Sequence, residues 1–348
     1  MLKDLNPRLA IGTLQWGTTI VDHKLVNPKG CITESDASEI LQIVLDAGVQ
    51  VIDTAEGYGG GTSEKRLGRL LPKNANVTLM TKFLPAPWRY SHHCFEEAVR
   101  ASCKRLKVDC IPIYLLHSPV HWRPIEFWIE AAAVCKQKGL IKSLGLSNCD
   151  AETVKRAYAA SKKYGIDIVC NQVHFSLLCY KSAKLQEMVK TCQDLDICIV
   201  GFTPLGQGLL VDAMTEDKCS TNRPAKMLKI EWNELVPLRN ELKHLADKYN
   251  ASMAQICLNW SVQHGVLPLV GCRTPTQARD SVQAVAGKWN LTKEEVEILD
   301  IVALDRSTFR SSNRKRMFFV TLFGIVMVVC NTMDWLGFGM IAEAGKVI

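Results

Sequence analysis

Short apolar runs alternate eight times with longer segments of helical period, and this alternation limits the fold more than any other feature of the chain. The runs are LAIGTL (9–14), VQVID (49–53), VTLMTK (77–82), CIPIYLLH (110–117), IKSLGLS (141–147), DIVCNQV (167–173), ICIVGFTPLG (197–206) and VLPLVG (266–271). Between them, stretches such as ESDASEILQIVLDAG and CDAETVKRAYAASKKYG repeat apolar residues at i, i+3 and i+4. Acids or Ser/Thr stand near their starts and Gly near their ends, which is the punctuation of helices. Eight strand–helix units in about 300 residues fit one (β/α)8 barrel of the TIM type better than a doubly wound sheet. No GxGxxG follows the first run, which also counts against a dinucleotide-binding domain of the Rossmann kind. The seventh unit (206–265) is the longest and predicts a large loop near Asp212 to Lys229 over one face.

A chain of 348 residues, 47% of them hydrophobic, can bury a substantial core. Its formal charge of +7 is unevenly placed: six of the 42 basic and two of the 35 acidic side chains lie beyond residue 305, leaving 36 against 33 over residues 1–305. A basic excess concentrated in the tail is no nucleic-acid face, so no nucleic-acid partner is expected. The 14 cysteines are scattered, with no CxxC pair, and most sit in apolar runs, as reduced core thiols do in a reducing compartment. MLKDLNPRLAIG has neither an apolar signal run nor transit-peptide character, which predicts a cytoplasmic protein.

In a barrel of this kind chemistry collects where strands end. Asp53 closes the second run, Tyr58 follows it among glycines, Lys82 closes the third and His117 the fourth. Taken singly each has an ordinary role open to it: a helix cap, a packed ring, a solvated ammonium, a satisfied loop histidine. Taken together, four such groups at one end of three successive strands are hard to assign to chance. A phenol is a poor acid, with a reference pKa of about 10, and an adjacent ammonium lowers it. On this reading Lys82 activates Tyr58 as a proton donor, Asp53 holds Lys82 charged and oriented, and His117 hydrogen-bonds an oxygen that gains negative charge. These are parts for protonating a carbonyl oxygen while something else adds to its carbon. The set activates no serine or cysteine and has no metal-spaced ligands, so the electrons must come from a cofactor.

From about Arg8 to Leu304 the chain resembles the aldo-keto reductases. The phrases IGTLQWGT, VIDTAEGYGGGTSEKRLGRLL, LMTK, YLLHSP, LIKSLGLSNCD, NQVHFSLL, GFTPLGQGLL and VGCRTPTQ carry the resemblance, in family order and at family-like spacing. It implies a (β/α)8 barrel that uses NADPH or NADH to reduce aldehydes or ketones with a tetrad matching Asp53, Tyr58, Lys82 and His117. It further implies that Ser147, Asn148 and Gln172 hold the nicotinamide carboxamide. Phe202 matches the aromatic that stacks on the nicotinamide, although from its chemistry alone a core residue at a strand end is as good a reading. Thr203, Leu205, Gly206 and Gly208 stand in the segment that covers the pyrophosphate.

After the eighth run, GCRTPTQARDS resembles the motif that grips an adenosine 2′-phosphate, and phosphate sites in barrels favour the last strands. Gly271 permits close backbone approach, Arg273 offers a forked charge, Thr274 a hydroxyl, and Gln277 is carried over by position. Arg273 makes NADPH the expected cofactor over NADH. Asp280 and Ser281 depart from the Glu and Asn that many relatives place against the adenine. Trp16, Trp88, Trp122 and Phe175, all in strand-end loops, are candidates for an apolar pocket taking a small carbonyl compound, with a structural role equally open for each.

The resemblance stops at Leu304, so residues 1–305 are expected to form the barrel. Residues 306–316 are polar and basic, and 317–348 begin with the uncharged run MFFVTLFGIVMVVC. The run falls short of the roughly 20 apolar residues of a spanning helix unless it continues past Asp334. The segment has three readings: a C-terminal membrane anchor through 317–341, a segment packed on the barrel or in an oligomer contact, and a tail outside the stable fold. The apolar tail also keeps a second functional class open, an NADPH-binding regulatory subunit of a membrane protein, like the potassium-channel β subunits that share this barrel.

Overall fold

The computed structural model describes residues 2, 5, 8–17, 31–119 and 121–306. The linker and tail expected over 306–348 lie, apart from Arg306, outside the described residues. Strands β1 (Ala10–Gly12), β2 (Val51–Asp53), β3 (Thr78–Phe83), β4 (Ile111–Leu116), β5 (Ile141–Ser147), β6 (Ile168–His174), β7 (Cys198–Phe202) and β8 (Leu267–Gly271) pair in parallel in chain order and close into a barrel. Ala10 has Val51 opposite it on one side and Leu269 on the other. Each of the eight apolar runs thus gives one strand, with β3 and β6 each extending one residue past the run.

Helices α1 (Glu34–Asp46), α2 (Thr62–Leu70), α3 (His92–Leu106), α4 (Ile125–Gln137), α5 (Ala151–Tyr164) and α6 (Ala183–Asp194) occupy the first six crossovers. Their starts follow capping chemistry: Thr33, Ser91 and Asp150 accept the N–H of Asp36, Cys94 and Thr153. The seventh crossover holds α7 (Glu216–Thr221), α8 (Arg223–Leu228), α9 (Trp232–Tyr249) and α10 (Met253–Gln263), and α11 (Pro275–Gln283) and α12 (Lys293–Val302) follow β8. The stretch expected to be a loop over residues 212–229 therefore carries two short helices. Thr215 and Asn222 cap them, and the Arg239 guanidinium ties the preceding turn to α9 through the carbonyls of Leu209, Val211 and Met214.

Alternation along each strand divides the core in two. On β4, Ile113 and Leu115 join Ala10, Val51, Met80, Val200 and Leu267 inside the barrel, while Tyr114 and Leu116 pack outward against the helices. Truncating an inward residue such as Leu115 to Ala should cost about 2–5 kcal/mol. None of the 13 described cysteines is in a disulfide, and ten are buried. No helix among the described residues is long and apolar enough to cross a membrane.

Candidate active site

Parallel closure brings the ends of β2, β3 and β4 side by side, and with them Asp53, Lys82 and His117. Lys82, next to last in β3, has no exposed surface, and Asp53 is 1% exposed. The three ammonium protons of Lys82 find three acceptors: Asp53 Oδ2 at 2.6 Å, the Thr54 carbonyl at 2.7 Å and Tyr58 Oη at 3.0 Å. The other Asp53 oxygen accepts from Gln172 Nε2 at 2.7 Å, across the barrel mouth from β6. Tyr58 is presented by a tight turn in which Gly59 and Gly60 take left-handed φ of 58° and 60°, a conformation that costs glycine little. Its ring meets that of His117 edge-on, with centroids 5.9 Å apart.

The electrostatics follow from burial in a nearly closed set. Burial alone would lower the Lys82 ammonium, but Asp53, with Tyr58, more than offsets it and the net shift is upward, so Lys82 is held charged. For Tyr58 the direction is opposite to that expected from sequence. Burial of the phenol outweighs the ammonium, Asp53 adds to the rise, and the phenol lies above its usual pKa. The Lys82 charge is already compensated by Asp53, so it cannot pull Tyr58 down alone. His117 is pushed down to about 3 by burial and by Lys82, which leaves a neutral imidazole, and its Nδ1 is buried with no partner among the described residues.

The residues expected at the cofactor form the rest of this face. Ser147, which ends β5, sits opposite Gln172 in β6. Asn148 Nδ2 donates to Ser147 Oγ at 3.0 Å and to the His117 carbonyl at 3.1 Å, and Asn148 N donates to the Gln172 carbonyl. Phe202 is half-buried at the end of β7, with its ring edge-on to His174 at 5.6 Å. Of the seven described non-glycine residues with positive φ, Lys107, Lys229 and Asn250 are helix C-caps and Asp196 lies in the turn before β7. The other three, Asn148, Thr203 and Gln207, cluster at the ends of β5 and β7, where strained backbone marks a functional surface. Leu205 lies between them, followed by Gly206 with a φ of 57°, where a Cβ would come 2.5 Å from Leu178 Cδ1, and by Gly208 with a φ of 94°.

After β8, a Cβ on Gly271 would meet the Gln15 amide at 2.6 Å, and Gln15 Oε1 is buried with no partner among the described residues. The Gln277 side chain accepts the Arg273 N–H at 2.8 Å, and Thr274 caps α11. The N-terminus of α11 beside the Arg273 guanidinium has the chemistry to receive a phosphate, while the Gln15 amide oxygen could only accept from a donor. Asp280 turns inward, accepting from Ser252 Oγ at 2.9 Å and Gln255 Nε2 at 2.7 Å at the start of α10, and Ser281 is buried.

The aldo/keto reductase family model matches residues 8–303. The chain belongs to that family. It is accordingly an NADP-dependent oxidoreductase acting on carbonyl compounds. The chloroplastic pyridoxal reductase of Arabidopsis thaliana is 27% identical over 310 residues, covering 85% of this chain and 84% of its own. The aldo-keto reductase yakc, NADP(+), of Schizosaccharomyces pombe is 28% identical over 271 residues, covering 72% and 77%. Among solved structures, the Bombyx mori aldo-keto reductase AKR2E4 in complex with NADP superposes with a TM-score of 0.66 at 21% identity, covering 89% of this chain and 93% of that one, a likeness of fold.

Of the four aromatic residues expected in the substrate pocket of this aldo/keto reductase, two are buried. Trp16 is 1% exposed, and Phe175 is 1% exposed with its ring stacked on Trp260 at 5.1 Å. Both are core residues: the chain turns inward where β1 and β6 end, and an aromatic there fills the gap between barrel and helices. Trp88 and Trp122 stand at the rim, 38% and 52% exposed. Sequence reasoning passed over Glu56 and Arg89, which join the loops after β2 and β3. The available signal was a second acid three residues after Asp53 in VIDTAEGY.

Proposed function

We propose that this barrel reduces an aldehyde or ketone to the alcohol with NADPH, and that Tyr58 Oη delivers the proton. The observation that carries the reading is the fully engaged Lys82 ammonium. Because Lys82 donates to Tyr58 Oη, the phenolic proton is directed away from Lys82 and is available to an acceptor. The neutral phenol is the form that can donate. Once the proton leaves, the phenolate lies 3.0 Å from a charge already held in place by Asp53, so it is stabilised without rearrangement until a proton from solvent restores the phenol. Neutral His117 offers a ring nitrogen to the same carbonyl oxygen and orients it.

Ser147, Asn148 and Gln172 would hold the carboxamide, with the Ser147 hydroxyl keeping a proton to donate while it accepts from Asn148. Phe202 would pack on the ring, Thr203, Leu205, Gly206 and Gly208 would line the pyrophosphate, and Gly271, Arg273, Thr274 and Gln277 would receive the 2′-phosphate. When bound, the nicotinamide supplies the hydride. Trp88 and Trp122 favour an apolar carbonyl compound.

Loss of NADPH absorbance over a panel of aldehydes and ketones, beside Tyr58→Phe, tests the assignment. Turnover that vanishes in the variant while NADPH still binds supports it, and turnover that persists would refute Tyr58 as donor. The relatives named above are reductases, which favours catalysis over the channel-subunit reading. The anchor read from residues 317–341 is tested by deleting 306–348: a barrel that still sediments with membranes eliminates it.

A further inference from the structure

We propose that Glu56 and Arg89 form a latch that positions Tyr58 and the aromatic rim as one unit, a role that rests on the reductase reading above. Glu56, 2% exposed, lies two residues before Tyr58. Its Oε1 accepts from the Leu84 N–H at 2.6 Å and from Arg89 Nη1, and its Oε2 accepts from Arg89 Nη2 at 3.1 Å. Arg89 returns a bond to the Leu84 carbonyl at 3.0 Å and lies over the Phe83 ring at 4.8 Å. Leu84 is two residues after Lys82, so the latch binds the loop carrying the proton donor to the strand end carrying the ammonium.

The same arginine ends the segment that bears Trp88. That segment is fastened onward: Trp122 Nε1 donates to the Pro87 carbonyl at 2.8 Å, and Arg123 Nε donates to the Tyr90 carbonyl at 3.2 Å. The Arg123 guanidinium covers the Trp122 ring at 4.6 Å. Polar contacts joined by the backbone of residues 84–90 therefore connect the loop of Tyr58 with the segment that bears Trp88 and, through Pro87, with Trp122. A buried ion pair adds little to stability, because desolvation offsets its attraction, whereas a two-pronged guanidinium–carboxylate contact fixes direction as well as distance. Glu56 and Arg89 are positioning residues, since neither is placed to touch a reacting atom.

The test uses the full chain with Arg89→Ala and Glu56→Gln. NADPH dissociation is followed by fluorescence, kcat and KM are measured with a nitrobenzaldehyde, and amide exchange is followed by mass spectrometry over 57–61 and 84–90. Because a misplacement of about 1 Å costs on the order of 100-fold, kcat should fall by about tenfold or more while the NADPH constant stays within about twofold. Methylguanidinium should restore part of the Arg89→Ala rate, and exchange should quicken in both segments together. A lower Tm with kcat and KM near wild type would reduce the pair to a structural contact, and exchange that quickens over 84–90 alone would overturn the coupling. If Arg89→Ala does not fold, Arg89→Lys and Glu56→Gln are judged by the same outcomes. A wild type without turnover would sink the reductase reading, while joint loosening of both segments would still support the latch.

Discussion

Lys82→Met should separate what the buried pair does for folding from what it does for chemistry. The substitution keeps the length and apolar stem of the side chain and removes the charge that donates to Asp53, Thr54 and Tyr58. Asp53, 1% exposed, keeps only the Gln172 amide. Breaking a buried pair from one side leaves an uncompensated charge and costs about 3–5 kcal/mol, a large part of a domain's stability. Removing both charges in Asp53→Asn/Lys82→Met should recover most of that loss, because no ion is left without its partner. Neither variant should turn over carbonyl compounds.

The sign of the pH response is fixed as well. In Lys82→Met the folded pKa of Asp53 rises further above its unfolded value of about 3.9, so the stability deficit is smallest in acid and grows as the pH rises through the folded pKa. Urea denaturation of wild type, both single variants and the double variant at several pH values measures all of these quantities. A Lys82→Met protein within about 1 kcal/mol of wild type at neutral pH would refute the argument, since it would mean that the pair is solvated.

Tyr58→Phe should lower kcat by about 100- to 10,000-fold while NADPH affinity, read by fluorescence titration, is retained. Arg273→Ala should raise the NADPH KM by about 10- to 100-fold and leave the NADH KM nearly unchanged, and equal effects would show that Arg273 does not read the 2′-phosphate. Gly206→Val combines a φ of 57° with a clash on Leu178 and should weaken cofactor binding more than it lowers Tm, as calorimetry on the two quantities would show. Burial holds His174 down to about 4, and burial with Lys82 holds His117 down to about 3. Both titrate near 6.5 when unfolded, so their contribution is complete above that pH and is lost as the pH falls toward their folded values. Melting temperatures should therefore fall in mild acid, less steeply for His174→Gln.

The fold was legible because eight closely packed strands demand continuous apolar runs, and those runs are visible without partners. Their ends were less so. ICIVGFTPLG reads as one apolar stretch, yet the strand stops at Phe202 because Thr203 and Gly206 take left-handed backbone, which apolarity does not encode. The tetrad was readable from its place at the strand ends and from family phrases. The protonation state of Tyr58 was not, because one neighbouring ammonium was weighed without the burial that surrounds both groups. The burial of Trp16 and Phe175 was hidden for a related reason: an aromatic after a strand looks the same in sequence whether it is buried or stands exposed at the rim. Glu56 and Arg89, 33 residues apart, become partners only when β2 and β3 lie side by side.

The last described turn of the chain fixes an orientation. Leu304 N donates to the Leu177 carbonyl at 2.7 Å and Arg306 N to the Leu178 carbonyl at 2.8 Å, so the chain leaves the barrel stitched to the loop after β6. Leu178 is also the residue against which Gly206 is packed, on the side where the cofactor residues gather. Arg306, the last described residue, thus stands on the mouth side of the barrel, so a cofactor reaching the residues after β7 would pass the segment that ends there.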